Sequence, residues 1–366
     1  MCRSNDYSHL NSYLILYKKY RIMCTTSYSI PVRQRNVSIW GRIQTPCKAS
    51  WPFKKNVHHS CHRRTIVSAH PEDVFVLDFD GVVCDSAQEV MSAGLSCARE
   101  YWPDVFGGDV DEEALWKSLC LVRPRLVKGY ESMLMARILV ERGLEGKEDI
   151  LSCDDWATTE HGMVRQMLDV YGSTESELQS FFESWRMKRI ENDFDSWIDL
   201  NPLYSGVKDA LDDCQCFYIA SSKSGNRLIP LLNRLLDLGV DEESPRVFSG
   251  LIPPNELKLE VLETVMERPV AQHEGTQLHF IDDRFETLEY ICHSANEKVL
   301  DRYTMYLASW GYCTEEEKAK AKEMDRIRVL ELDEFLELLR FGIIMKVNDG
   351  CQDTEEETIA NVYKKN

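Results

Sequence analysis

The sequence VFVLDFDGVVCDS, residues Val74–Ser86, decides the fold of this 366-residue chain. Its first four residues, Val74–Leu77, are apolar and favour β structure, so they predict a buried strand. Because side chains in an extended strand alternate between two sides, Asp78 and Asp80 should face the same side where the strand ends. Two buried carboxylates repel each other, and a divalent cation that prefers oxygen ligands, such as Mg²⁺, removes that repulsion. The pattern therefore predicts a metal site, with a turn carrying two solvated acids as the alternative.

The chain beyond this strand divides into a helical stretch and an alternating stretch. Five helical patterns and no convincing strand precede residue 200, whereas strands and helices alternate from about residue 204 onwards. This alternation predicts an α/β fold, with a Rossmann-like, mostly parallel sheet and helices on both of its faces. Ligands of such sheets bind beyond the carboxyl ends of the strands. The helical patterns cover residues 87–102, 111–121, 130–142, 154–171 and 174–191.

These patterns also predict the domain organisation. We expect an α/β core at residues 71–86 and 201–345, and an all-helical cap at residues 87–200 that is inserted after the first strand. A cap inserted at this point would lie over the carboxyl end of that strand. The polar residues 346–366 should form a solvated tail.

The first 70 residues differ from the rest of the chain in composition. They contain twelve Lys and Arg residues, thirteen Ser and Thr residues, and a single acid, Asp6. A basic, Ser-rich and acid-poor leader is typical of an organelle transit peptide, so we expect residues 1–70 to be disordered. Composition does not separate a chloroplast from a mitochondrial destination. A basic arm that stays on the protein is the alternative interpretation.

The overall composition excludes several classes of protein. With 43 Lys+Arg against 61 Asp+Glu, the net charge is −18, which argues against binding nucleic acid through a broad basic surface. No run approaches 18 consecutive apolar residues, so we expect no membrane-spanning helix. A hydrophobic content of 43% is enough for a packed core.

Four short motifs follow one another in the order expected for one enzyme superfamily. The segment VFVLDFDGVVCDS resembles the first motif of the haloacid dehalogenase-like (HAD) superfamily. Ser221, which ends a predicted strand, matches the second motif, and Lys258, near the start of a predicted helix, matches the third. The pair Asp282 and Asp283, after another apolar strand, matches the fourth. The resemblance implies a HAD-like core and covers about residues 74–340.

This resemblance implies a hydrolase that removes phosphate from a small phosphorylated metabolite. Asp78 would attack phosphorus and form an aspartyl-phosphate, and Asp80 would protonate the leaving oxygen and then activate water. Ser221 would donate a hydrogen bond to the phosphoryl group, and Lys258 would stabilise its charge and orient Asp78. Dehalogenases of the superfamily lack an acid at the position of Asp80, so phosphoryl transfer is favoured. A phosphomutase and a non-catalytic scaffold remain alternatives.

The resemblance also implies Mg²⁺ as the cofactor. Its ligands would be Asp78, the carbonyl oxygen of Asp80, and Asp282 or Asp283. The cap segment after residue 121 is unusually basic for this acidic chain, and two interpretations of it stay open. It is either a surface that meets an anionic substrate or a loop that pairs with surface acids. The residues predicted to bind substrate are Ser222, Arg123, Arg125 and Tyr130.

Further short segments resemble a plant and algal branch of the superfamily, which favours a plastid destination for the leader. These segments are Asp78–Ser86, Val122–Pro124, Gly129–Glu131, Lys258–Leu262, Asp283–Arg284 and Ser309–Tyr312. Two features depart from the superfamily pattern. The fourth motif begins with Ile281 rather than with Gly-Asp, and Leu259 rather than Pro follows the lysine of the third motif.

Overall fold

A computed structural model gives the fold of residues 73–108, 110–153, 155–157 and 159–342. The predicted transit peptide at residues 1–70 and the predicted polar tail at residues 346–366 lie outside these described residues. Among the described helices, none offers the uninterrupted apolar stretch that spanning a bilayer requires.

The described strands form one six-stranded sheet in which every neighbouring pair is parallel. Its strand order, β3-β2-β1-β4-β5-β6, is that of a doubly wound Rossmann-like sheet. Leu77 at the end of β1 pairs with Ile219 of β2 on one side and with Ile281 of β4 on the other. The carboxyl ends of these three strands therefore lie side by side. The strands are β1 Asp73–Leu77, β2 Phe217–Ala220, β3 Val247–Phe248, β4 Gln277–Asp282, β5 Tyr303–Ala308 and β6 Ile327–Leu330.

Helices alone occupy the described residues between β1 and β2, as the sequence predicts. They are α1 Ala87–Tyr101, α2 Glu112–Val122, α3 Glu131–Leu151, α4 Met163–Tyr171, α5 Glu175–Asn192, α6 Phe194–Asp199 and α7 Val207–Asp213, with a 3-10 turn at Arg123–Arg125. The remaining helices alternate with the strands. They are α8 Gly225–Leu236, α9 Pro254–Met266, α10 Phe285–Ser294, α11 Glu297–Arg302, α12 Glu315–Glu323 and α13 Leu332–Phe341, with a second 3-10 turn at Pro269–Gln272.

The predicted start of one helix is wrong. The pattern at 154–171 predicts one helix, but α4 begins only at Met163, whose N–H donates to the carbonyl of Asp155, so the preceding segment folds back as a turn. The predicted end at residue 142 of the helix that starts near residue 130 agrees with a break in α3, which consists of two helices joined across a kink at Gly143. The backbone of Gly143 leaves helical geometry there (φ 56°), and the helix resumes beyond the kink. The predicted capping box of Thr174 and Glu177 at the start of α5 is confirmed.

Both faces of the sheet are buried, because successive side chains of each strand point to opposite faces. Phe75 and Leu77 of β1 belong to one apolar cluster, which also contains residues of α7, α8 and α13. Val74 and Val76 belong to the cluster on the other face, with residues of α9 and α10. The helices between α1 and α5 enclose a third cluster of their own. This packing confirms the predicted layers of helix, sheet and helix, and leaves the carboxyl ends of the strands next to the helical stretch.

Candidate active site

Three buried carboxylates gather at the carboxyl ends of β1 and β4. The N–H of Asp78 donates to the carbonyl of Ile281 at 3.0 Å, which continues the ladder between the two strands by one residue. This places Asp78 next to Asp282, and Asp283 follows directly. One carboxylate oxygen of each of these three residues lies within 4.8 Å of the others. The structure therefore brings Asp78 of the first predicted motif together with both acids of the fourth.

Lys258 of α9 supplies the positive charge inside this cluster. Its Nζ donates to Asp78 Oδ2 at 2.9 Å and to Asp282 Oδ2 at 2.6 Å, and its side chain is 2% exposed. Burial alone would lower the pKa of Lys258, but the attraction of Asp282 and Asp78 outweighs burial and raises it. The lysine is therefore charged, and it bridges the two acids that the register places side by side.

One lysine does not neutralise three buried carboxylates. Burial raises the pKa of Asp78 to about 6, because Lys258 offsets the loss of solvent only in part and Asp282 repels the charge. Burial also raises the pKa of Asp283 to about 7, and repulsion from Asp78 and Asp282 adds to that rise. A divalent cation would supply the missing positive charge, and the donor set of carboxylate oxygens suits Mg²⁺.

The carboxylate oxygens of Asp282 accept more hydrogen bonds from the protein than those of Asp283 do. Asp282 Oδ1 accepts the N–H of Arg284 at 2.9 Å, and its Oδ2 accepts Lys258. Asp283 Oδ2 accepts the N–H of Tyr312 at 2.8 Å. No described residue donates a hydrogen bond to Asp283 Oδ1, so Asp283 keeps one oxygen that the described protein groups leave open.

Two glycines make room for Asp283. Gly81 has a left-handed backbone (φ 85°), and a Cβ at this position would lie 2.0 Å from Asp283 Oδ2. A Cβ at Gly311 would lie 2.4 Å from the Cβ of Asp283. The glycine of the first motif is therefore required by its backbone conformation and by the close approach of the fourth motif.

The side chain of Asp80 is not one of the three clustered carboxylates, although its charge adds to the raised pKa of Asp78. Asp80 Oδ1 is 3.1 Å from Nζ of Lys223, in an ion pair whose angles fall outside those of a hydrogen bond. The Asp80 side chain is 22% exposed and that of Lys223 only 6%. Sequence reasoning missed Lys223, although its position in the loop after β2, two residues beyond Ser221, was available as a signal.

Ser221 and Ser222 follow β2, next to the end of β1. Ser221 is fully buried, and its Oγ accepts the N–H of Lys223 at 3.2 Å, whereas Ser222 is exposed. The predicted motif residue thus lies at the end of the strand that pairs with β1. The roles predicted for both serines in binding phosphate or substrate stay predictions.

The structure separates the three predicted cap residues. The guanidinium of Arg123 lies 3.7 Å from the ring centroid of Tyr312, and its charge lowers the pKa of Asp283 against the effect of burial. Arg125 instead donates to the carbonyl of Leu151 at 2.7 and 3.2 Å, at the end of α3. The structure therefore places Arg123 near the acids but engages Arg125 within the helical stretch.

Among the described residues, no hydrogen bond joins Tyr130 to the acid cluster. Tyr130 is buried and lines a cavity of about 570 Å³ together with Lys128, Glu131 and residues of α4 and α5. Its predicted part in binding substrate stays a prediction.

Tyr312 is a second residue that sequence reasoning did not assign to the site. Besides donating its N–H to Asp283 and lying under Arg123, it donates its hydroxyl to Asp85 Oδ1 at 2.8 Å. Burial raises the pKa of this hydroxyl well above its usual range. In the sequence, Ser309–Tyr312 contributes only to the resemblance, and the fold alone shows that this segment packs against Asp283.

No protein-family model and no curated protein matches the sequence. Similar solved structures include a candidate haloacid dehalogenase-like hydrolase from Bacteroides fragilis (15% identity, 72% of this chain and 98% of that chain, TM-score 0.41). A candidate phosphoglycolate phosphatase from Lactobacillus delbrueckii is 12% identical, with 74% of this chain and 98% of that chain covered and a TM-score of 0.44. A predicted phosphatase from Clostridium acetobutylicum is 14% identical, with the same two coverages and a TM-score of 0.42. At such identities and TM-scores these likenesses do not assign the chain to a family.

Proposed function

We propose that this chain is a Mg²⁺-dependent phosphatase of the HAD type, which hydrolyses a small phosphorylated metabolite through an aspartyl-phosphate. The observation that carries the proposal is the bridge from Lys258 to Asp78 and Asp282, beside Asp283, at the carboxyl ends of β1 and β4. Three buried carboxylates with one lysine are unfavourable in a purely structural role. They are appropriate where a divalent cation and a phosphoryl group bind.

Asp78, Asp283 and the carbonyl oxygen of Asp80 are the proposed ligands of Mg²⁺. Asp283 is preferred to Asp282, because Lys258 and the N–H of Arg284 already occupy both oxygens of Asp282. When bound, Mg²⁺ would neutralise the carboxylates and part of the charge on the phosphoryl group.

The proposed reaction has two steps. A carboxylate oxygen of Asp78 attacks phosphorus, the bond from phosphorus to the ester oxygen breaks, and Asp80 gives its proton to the departing oxygen. A water molecule then attacks the aspartyl-phosphate and loses a proton to Asp80, and the bond from phosphorus to Asp78 breaks. The products are the alcohol and inorganic phosphate, and both aspartates return to their starting state.

The remaining groups bind and orient the substrate. Lys258 holds Asp78 at 2.9 Å and brings a fixed positive charge to the phosphoryl group. Ser221 would donate its hydroxyl to a phosphoryl oxygen. Arg123 is the best placed of the predicted cap residues to meet the substrate, because its Nε is buried and has no hydrogen-bond partner among the described residues.

Release of inorganic phosphate from 4-nitrophenyl phosphate by the full chain tests this proposal. We expect release that requires Mg²⁺ and that Asp78→Asn lowers by at least about 10³-fold. Asp212→Asn is the matched control, because Asp212 lies on the surface in a pair with Lys208. Metal-independent release, or full activity in Asp78→Asn, would contradict the mechanism.

The same assay separates the alternatives. A phosphomutase would move phosphate between positions of a phosphosugar without releasing it, which ³¹P NMR would detect. A non-catalytic scaffold would bind Mg²⁺ in calorimetry but would release no phosphate from any ester.

We further propose that residues 87–200 act as a cap over the site, and that residues 1–70 direct the chain to a plastid. Mass spectrometry of the mature N-terminus tests the second proposal. An intact N-terminus on the native protein would contradict it.

A further inference from the structure

A second group of charged side chains lies on the side of the site where Asp80 stands. Lys223 contacts Asp80, as described above, and Arg186 of α5 and Arg227 of α8 lie further along the same interface between the helical stretch and the sheet. The side chains of all three cations are nearly buried, at 6%, 7% and 11% exposure. A buried cation is stable only when negatively charged groups pair with it. The carboxylates that pair with these three cations therefore show which of their donors stay open to a ligand.

Two carboxylates of the helical stretch serve the two arginines. Glu89 of α1 accepts Nε and Nη2 of Arg186, and also the indole N–H of Trp197. Glu183 of α5 accepts Nη1 of Arg227 at 2.5 Å, but it also receives Nη1 of Arg186 at 3.5 Å. Glu89 is thus bound by Arg186 and Trp197, and Glu183 is divided between the two arginines.

Arg227 is left incompletely satisfied. Its Nε is buried and makes no hydrogen bond with any described residue. Burial and the nearby charge of Arg186 lower the pKa of Arg227. A buried donor without an acceptor is unfavourable, so this group requires a partner outside the described residues, such as a water molecule, an ion or a ligand.

The three cations act on one region. Burial would raise the pKa of Glu89, but the charges of Arg186, Lys223 and Arg227 lower it to about 2. Asp80 also contributes to the raised pKa of Arg186, after Glu89 and Glu183, against the effect of burial. Because Arg186 and Arg227 both contact Glu183, and Lys223 contacts Asp80, the three cations form one positive environment beside Asp80.

Without substrate, the carboxylate of Asp80 supplies the negative charge that balances the remaining positive charge of this group. The group contains three cations and two carboxylates besides Asp80. In the proposed reaction the leaving oxygen must reach the acidic proton of Asp80, so the leaving group enters next to Lys223 and interrupts its contact with Asp80. The positive environment then lacks one negative partner.

We propose that Lys223, Arg186 and Arg227 form a subsite for a second anionic group carried by the leaving group. The inference rests on the proposed phosphatase function and narrows its substrate class. The substrate is a phosphate monoester whose alcohol bears a carboxylate or a second phosphate a few bonds from the ester oxygen. Both groups offer the anionic oxygens that arginine binds in bidentate fashion. A neutral sugar or a simple alcohol would leave the subsite empty.

Matched pairs of esters test the subsite in the full chain with Mg²⁺. One series consists of ω-phosphooxy carboxylates of two to four carbons, each paired with its neutral carboxamide, and the other of diol bisphosphates, each paired with its monophosphate. The measured quantity is the ratio of kcat/KM within a pair. We expect the anionic member to be preferred by about tenfold or more in at least one series. The series that shows the preference identifies the anion as carboxylate or phosphate.

Substitution of Arg227 assigns the preference to the subsite. In Arg227→Met the ratio should fall to near one through a rise in KM, and Arg227→Lys should restore part of it. Arg234→Met is the matched control, because Arg234 lies on the same helix and also reaches a carboxylate of the helical stretch, Asp195 at 3.4 Å, but is largely exposed. If Arg227→Met does not fold, as judged by circular dichroism, Lys223→Met takes its place.

The outcomes separate the two proposals. Equal kcat/KM for the members of every pair, or a ratio that survives both Arg227→Met and Lys223→Met, would overturn the subsite but leave the phosphatase intact. Release of phosphate from none of the esters would overturn the proposed function and the subsite together.

Discussion

Replacing Lys258 by Met should weaken the fold of the metal-free protein more than any surface substitution. Lys258 Nζ is bonded to Asp78 and Asp282, and all three side chains are buried. Methionine fills a similar volume, so the substitution removes the charge and leaves the packing largely unchanged. Two carboxylates then remain in the interior without their shared cation, in a cluster where Asp283 already adds repulsion.

The size of this effect follows from the burial of the pair. Removing one partner of a buried ion pair destabilises proteins by about 3–5 kcal/mol, because the remaining charge is neither solvated nor paired. An exposed pair such as Lys208 and Asp212 contributes only about 0–1 kcal/mol, which makes Lys208→Met the control. In Lys258→Met/Asp282→Asn one of the stranded charges is also removed. The double variant should therefore be less destabilised than the sum of the two single variants.

Urea denaturation at pH 7.5 measures the free energy of unfolding with EDTA and with saturating Mg²⁺. We expect Lys258→Met to lose about 3–5 kcal/mol in EDTA, and to regain more stability from Mg²⁺ than the wild type does, because its carboxylates have the greater need for a cation. A loss in EDTA no larger than that of Lys208→Met would refute the reasoning. So would an equal response of variant and wild type to Mg²⁺.

Three further predictions concern the acids and their surroundings. Gly81→Ala should cost about 1–3 kcal/mol and weaken Mg²⁺ binding in calorimetry, because the new Cβ would collide with Asp283 and the backbone angle there disfavours a side chain. Glu89→Gln should cost about 3 kcal/mol at pH 7, because it leaves Arg186 buried without its carboxylate. The fold lowers the pKa of Glu89 to about 2, so the contribution of Glu89 to the free energy of unfolding is present above pH 4.5 and is lost as the pH falls towards 2. The free energies of unfolding of variant and wild type, measured in urea, should therefore converge as the pH falls through that window. Because the pKa values of Asp78 and Asp283 are raised, the metal-free fold binds protons that the unfolded chain has already released. The free energy of unfolding in EDTA should therefore fall between pH 4 and pH 7. A rise through this window would contradict the raised pKa values of the two acids.

The sequence predicts the sheet and the positions of its acids well, because both depend on short-range patterns. The apolar run that ends at Leu77 places Asp78 at the end of β1, whereas Asp80 lies beyond the strand and pairs with Lys223. The alternation of strands and helices requires parallel neighbours, so the carboxyl ends that carry Asp78 and Asp282 must share one edge of the sheet. In the helical stretch no such rule applies. Whether Arg123 or Arg125 faces the acids depends on the orientation of a 3-10 turn against the loop that contains Tyr312, and nothing local in the sequence determines that contact.

The two lysines that pair with the acids of the first motif show which part of the site was hard to predict from the sequence. Among the described lysines, Lys223 and Lys258 are the buried ones, and each meets one acid of the first motif: Lys258 contacts Asp78, and Lys223 contacts Asp80. Lysine is almost never fully buried unless it is paired, so the burial of each predicts an acidic partner. The partner itself lies well over a hundred residues away in the sequence, and only the strand order brings the two together. A motif search finds Lys258 because its spacing is characteristic, whereas Lys223 is identified only by its burial and by its contact with Asp80 in the fold. The requirement that a buried cation is paired, applied to the unsatisfied Nε of Arg227, is what extends the site towards the leaving group.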